Sequence, residues 1–117
     1  MNKLTLSQPL MQENAAPPML TGQLVIPAHD CQYPASINAC DLLRVDFDKR
    51  AIGPDGLYLV EILNATGVEW RGCRRFQKMP HIHMDIRGNG EWVSFSLDAH
   101  NMRVVGYVEQ VYKPVTH

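Results

Sequence analysis

From Asp41 to Tyr112 the chain alternates repeatedly between polar and apolar residues at a spacing of two, the period of a half-buried β-strand. Asp41-Leu42-Leu43-Arg44-Val45-Asp46-Phe47 follows it with Leu42 set apart. His81-Ile82-His83-Met84-Asp85-Ile86 follows it strictly, and Glu91-Trp92-Val93-Ser94-Phe95-Ser96-Leu97 repeats it. Leu57-Tyr58-Leu59-Val60-Glu61-Ile62-Leu63 is instead nearly continuous in apolar, β-branched and aromatic residues, as in a strand buried on both sides. Turn chemistry separates these runs. Gly53-Pro54-Asp55-Gly56 precedes the buried strand, Asn64 to Gly67 forms a hairpin turn into a strand over 68–78 that Pro80 ends, and Arg87-Gly88-Asn89-Gly90 turns again.

Two more strands complete the pattern. Leu24-Val25-Ile26, stopped by Pro27, suits an opening or edge strand, and 104–112 makes a closing strand around Gly106. Residues 28–40 read as a loop. No segment sustains a helical period. The prediction is a mostly β chain with little helix: a twisted, partly closed, barrel-like sheet of about six to eight strands.

A chain of 117 residues with 45% hydrophobic content can bury one core, so a single domain over 21–117 is expected behind an N-terminal arm. That arm, 1–20, is broken by Pro9, Pro17 and Pro18. Eleven basic against twelve acidic residues give a net charge of −1, which provides no general attraction to nucleic acid or anionic lipid. With no apolar stretch near 18 residues, the expectation is a soluble, cytoplasmic protein without membrane contact. Cys31, Cys40 and Cys73 form an odd set without CxxC spacing, which points to reduced thiols rather than a disulfide framework or a four-cysteine zinc site.

The order of several short motifs resembles the self-cleaving peptidase domain of LexA, phage repressors and UmuD. Asp30-Cys31-Gln32-Tyr33-Pro34 stands where that family has D-S-M-x-P, and Asp41-Leu42-Leu43-Arg44-Val45-Asp46 resembles its following Gly-Asp-x-[Leu/Val]-x-Val-Asp strand. Pro54 to Val60 is similar to its Asp-Gly turn and strand. Arg74-Arg75-Phe76-Gln77-Lys78-Met79-Pro80 is similar to the Lys-Arg-Leu-Gln-Arg-Leu-Pro pattern of repressors, and Val104-Val105-Gly106-Tyr107-Val108 to the closing Ile-Ile-Gly-x-Val. The resemblance covers residues 24 to 113.

What it implies for chemistry is a degenerate site. The family deprotonates a serine with a neutral, buried lysine whose pKa desolvation lowers. At those two positions this chain carries Cys31 and Arg74, and arginine cannot shed its proton at any accessible pH. The dyad fails as written. Ser36 reads as a turn serine, and Lys78 takes the lysine's place only through a four-residue slip. A different route would use Cys31 as nucleophile with His29, two residues earlier and on the same side of an extended backbone, as its partner. No Ala-Gly or Cys-Gly bond of the kind the family cleaves precedes Cys31.

His81, His83 and Asp85 occupy one face of a strand at a spacing that some metal enzymes use, against the simpler reading of a solvated face. The simpler reading is preferred, so no metal and no cofactor are expected. His100 and His117 are isolated. Arg71, Arg74, Arg75 and Lys78, flanked by Trp70 and Phe76, make the one basic segment that suggests nucleic acid, although a hairpin strand with alternating solvated charges is the preferred reading. Direct nucleic-acid binding is not expected.

The leading expectation is a catalytically inactive LexA-like domain acting by protein contacts. It would form a homodimer, or bind a repressor or DNA-damage-response (SOS) regulator, in the transcriptional control of a phage, plasmid or mobile element, with an apolar edge expected at the final strand. The alternatives are an active cysteine-dependent self-cleaving peptidase, or a UmuD-like polymerase accessory whose arm wraps a partner.

Overall fold

The computed structural model describes residues 20–115. The predicted arm, apart from Leu20, and His117 lie outside them. The elements in chain order are β1 (Gln23–Pro27), β2 (Leu42–Asp46), β3 (Gly56–Asn64), β4 (Gly67–Gln77), β5 (His83–Asp85), β6 (Trp92–Ser94), a short 3-10 turn at Asp98–His100 and β7 (Met102–Tyr112). All seven strands join one antiparallel sheet in the order β1-β2-β7-β3-β4-β5-β6. The chain is mostly β, as the alternation predicts. The sheet stays open, with β1 and β6 at its two edges.

The nearly unbroken apolar run of β3 follows from its central place. Leu57 and Leu59 point to one face and join Leu43, Val45, Phe47, Cys73, Val105 and Val108 in a first core, while Tyr58 and Val60 point to the other and join Ile52, Phe76, Met84, Met102 and Val104. The strand therefore gives each face its central side chains. The loop 28–41 folds over the first face and inserts Ala28, Cys31, Tyr33 and Ile37, all at most 2% exposed. Tyr33 anchors it by donating its hydroxyl to the Asp85 carbonyl at 2.5 Å. On the second face Tyr58 meets the rings of Phe76 and Tyr107 edge-on.

Three sequence expectations need correction. The final strand is no edge: β7 lies between β2 and β3. Gly106 permits this, since a Cβ there would stand 2.5 Å from Val45 Cγ1 and 3.0 Å from the Asp46 carbonyl oxygen. The alternating run 81–86 pairs only over His83–Asp85. Asp85 is not solvated but buried, because its carboxylate accepts the Gly88 and Gly90 amides and turns the chain out of the sheet, leaving Ile86 exposed. The run 91–97 likewise pairs only over Trp92–Ser94, after which Phe95 is tied by its amide to the Ile82 carbonyl.

Candidate functional site

Alternation along β4 sends Arg71 and Cys73 to the first face of the sheet and Trp70, Gly72, Arg74 and Phe76 to the second. On the first face, between the sheet and the chain at 26–31, lies a cleft of about 250 Å³. Its walls include Ile26, His29, Cys31, Glu61, Arg71 and Arg103.

Its floor is an ion triplet built by strand register. Glu61 on β3 stands directly opposite Arg71 on β4 and Arg103 on β7. Arg71 donates Nε and Nη2 to one carboxylate oxygen at 2.9 and 2.6 Å, and Arg103 donates the same pair to the other at 3.0 and 2.7 Å. Four charge-assisted hydrogen bonds thus satisfy a carboxylate that is 3% exposed, and they tie three neighbouring strands together. The triplet carries a net positive charge.

Cys31 lies above this floor. The backbone at 28–31 closes a turn, with the Cys31 amide donating to the Ala28 carbonyl at 2.8 Å, so His29 and Asp30 occupy the corners of that turn. His29 and Cys31 therefore do not have the extended spacing that would set them side by side. The His29 ring turns outward, its Nε2 3.2 Å from the Asp30 carboxylate, and both side chains are largely exposed. Cys73 belongs to the same core cluster as Cys31. The Cys73 thiol is the main reason the Cys31 thiol titrates below its ordinary value. Burial opposes it, Arg71 assists, and Asp30 and Glu61 oppose it slightly. Cys73 moves the other way, held protonated first by the neighbouring Cys31 thiol and then by burial. Cys40 is exposed.

Arg74, the other position singled out by the motif order, lies on the second face. Its guanidinium sits 4.7 Å from the Trp70 ring centre and 5.5 Å from that of Tyr33, and donates to the Cys73 carbonyl at 2.6 Å. The indole of Trp70 lies across Gly72, where a Cβ would come within 2.4 Å of the ring. Burial lowers the Arg74 pKa, yet an arginine so placed remains a cation. The structure does not assemble Cys31 and Arg74 into a dyad.

The other sequence candidates are dispersed. Ser36 lies in the tight turn from Tyr33 to Ile37, its amide donating to the Tyr33 carbonyl. Lys78 lies just past the end of β4, donates its backbone amide to Asp55, and is not part of the cleft that Cys31 lines. His81 and His83 stack at 4.4 Å between ring centres, but Asp85 turns into its own loop, and among the described residues no three His, Cys, Asp or Glu side chains gather as metal ligands. His100 stacks on Phe95. The basic segment forms no single stripe: Arg71 is spent on Glu61, Arg74 is stacked on the opposite face, and Arg75 stands exposed.

Glu61 and Arg103 are the site residues that motif reasoning passes over. Their signal is a lone carboxylate inside the apolar run 57–63 at the parity of Leu57 and Leu59, facing the core and hence requiring cations on its neighbours. Among the described residues no helix is long and apolar enough to cross a membrane. Comparison with family models, with curated proteins and with solved structures finds no match for this chain.

Proposed function

We propose that this chain is a non-catalytic module of the LexA-like kind that works by self-association, with β1 as the contact strand. The observation that carries the reading is the outer row of β1. Gly22 accepts from the Phe47 amide and Ala28 donates to the Asp41 carbonyl, so by strand parity Leu24 and Ile26 also bond inward to β2. Gln23, Val25 and Pro27 then direct their backbone polar groups away from the sheet.

Nothing on β1 is charged, Leu24 is 40% and Val25 53% exposed, and Leu42 and Tyr112 extend the apolar surface beside Val25 and Pro27. Arg44, opposite Val25 on β2, is paired with Glu109 at 3.4 Å. A long, apolar, uncharged edge is a template for another strand. Two copies of β1 related by a two-fold axis at Val25 place Val25 opposite Val25 and Leu24 opposite Ile26. Four backbone hydrogen bonds form: two between the valines, and one from each Gln23 amide to the opposite Pro27 carbonyl. No like charges are opposed. In the regulatory setting the resemblance implies, such a module acts on a repressor or related regulator by contact and not by cleavage. Consistent with that, neither His29 nor Arg74 is placed to take a proton from Cys31.

The test is the solution mass of the full chain by light scattering, beside Val25→Lys with its fold checked by circular dichroism. The proposal expects a wild-type dimer and a folded, monomeric variant. A monomeric wild type, or a variant that dimerises equally well, overturns it.

A further inference from the structure

Cys31 and Cys73, 42 positions apart in the chain, belong to one core cluster and influence each other's protonation. Cys73 is fixed on the well-paired strand β4, whereas Cys31 follows the 28–31 turn and lines the open cleft. The two differ in position: Cys31, 2% exposed, lines the cleft, whereas Cys73 is fully buried and is not part of its wall. That is the arrangement of an attacking and a resolving thiol. We infer that Cys31 and Cys73 form a reversible dithiol–disulfide pair, oxidised through the cleft by low-molecular-weight disulfides of the glutathione type.

The exchange has two steps. Cys31, as thiolate, attacks one sulfur of the small disulfide; a mixed disulfide forms and the first small thiol leaves, taking up the proton Cys31 released. Cys73 then gives up its proton and attacks the Cys31 sulfur, expelling the second small thiol. Two protein thiols are oxidised to one disulfide, and one small disulfide is reduced to two thiols. The Arg71 guanidinium, which lines the same cleft as Cys31, favours the attacking thiolate, and the neighbouring Cys73 thiol does the same. The closed bond would fasten the loop 28–41 to β4. It would also restrict the unfolded chain over a long loop, so oxidation raises the melting temperature.

Cys40, exposed and outside the cluster, serves as an internal reference. The full-length protein is equilibrated with oxidised glutathione, remaining thiols are alkylated, and intact mass and peptide maps are recorded. The inference expects the loss of two hydrogen atoms as a Cys31–Cys73 link, a rise of several degrees in melting temperature, and full reversal by dithiothreitol. In Cys73→Ser, Cys31 should instead retain one glutathionyl group, and in Cys40→Ser the link should form as in wild type. If Cys73→Ser does not fold, Cys31→Ser should leave Cys73 unmodified. Cys31 and Cys73 both recovered as alkylated thiols after oxidation, or a link that runs to Cys40, overturns the inference.

Discussion

The two edges of this sheet are finished in opposite ways. At one end β6 is three residues long, and the bond from the Phe95 amide to the Ile82 carbonyl puts Val93 on the inward-bonding parity. Only Trp92 and Ser94 direct backbone groups outward. Asp85, through its grip on Gly88 and Gly90, ends β5 early and keeps this edge short. At the other end β1 runs five residues without a charge, and its one blunting device is Pro27, which has no N–H to offer. Proteins shorten or charge edges that must stay unpaired. The contrast teaches that β6 is protected against pairing and β1 is largely left available for it.

The largest effect that sharpens this contrast is a lysine placed at each edge. Val25→Lys opposes two ammonium groups across the two-fold axis and should weaken dimerisation at least ~100-fold. Val93→Lys at the β6 edge should leave it unchanged, with stability within about 0.5 kcal/mol of wild type. Sedimentation equilibrium of both variants decides the matter, and equal effects would erase the distinction.

Next in size is the tie that holds both halves to the centre. Glu61→Ala leaves Arg71 and Arg103 without their carboxylate. Loss of one partner of a fully buried pair costs about 3–5 kcal/mol, and the partial exposure of both arginines reduces this to about 2–3 kcal/mol. Urea titration should show that loss, with both edges unfolding in one transition.

A smaller, opposite change comes from Pro27→Ala. It restores an outward N–H facing the carbonyl of Gln23 on the other copy. Two added backbone bonds, each worth about 0.5–1.5 kcal/mol net, should tighten the dimer by roughly tenfold. Weaker association in this variant would count against the two-fold register.

The smallest effect is one of pH at the β1 end. The carboxyl of Asp41, at the start of β2, is held below its ordinary value first by the Asn38 amide and then by the Lys113 ammonium. With the folded value below the unfolded one, near about 3.9, its contribution is fully present above that pH and fades as pH falls through the folded value. Acid titration from pH 7 to 3 should therefore loosen the Ala28–Asp41 end before any general unfolding. In Asp41→Asn that step should be absent.

The strands themselves were largely legible in the residues. Alternation and turn chemistry place β1 to β4 and β7 within a residue or two, because each run has to bury one face or both. Strand order was not legible, since alternation states which side of a strand is buried and not which strand lies beside it. The closing run 104–112 reads equally well as an edge, and only the close approach over Gly106 shows that it enters between β2 and β3. The same limit governs the site. Cys31 stands out by its loop and by its place in the motif order, yet both partners read for it fail on backbone geometry. His29 fails because 28–31 is a turn and not extended, and Arg74 because one step along a pleated strand changes the face. Cys73, one residue from Arg74, is the position that the pleat sends into the core cluster of Cys31.

Amide hydrogen exchange along β1, measured at several protein concentrations, tests the self-association most directly. Leu24 and Ile26 bond inward to β2 and should be protected at every concentration. The amides of Gln23 and Val25 should exchange freely in dilute solution and become protected as the dimer forms. If Val25 exchanges at the free rate at all concentrations while the protein remains folded, β1 is not the contact strand and the account is wrong.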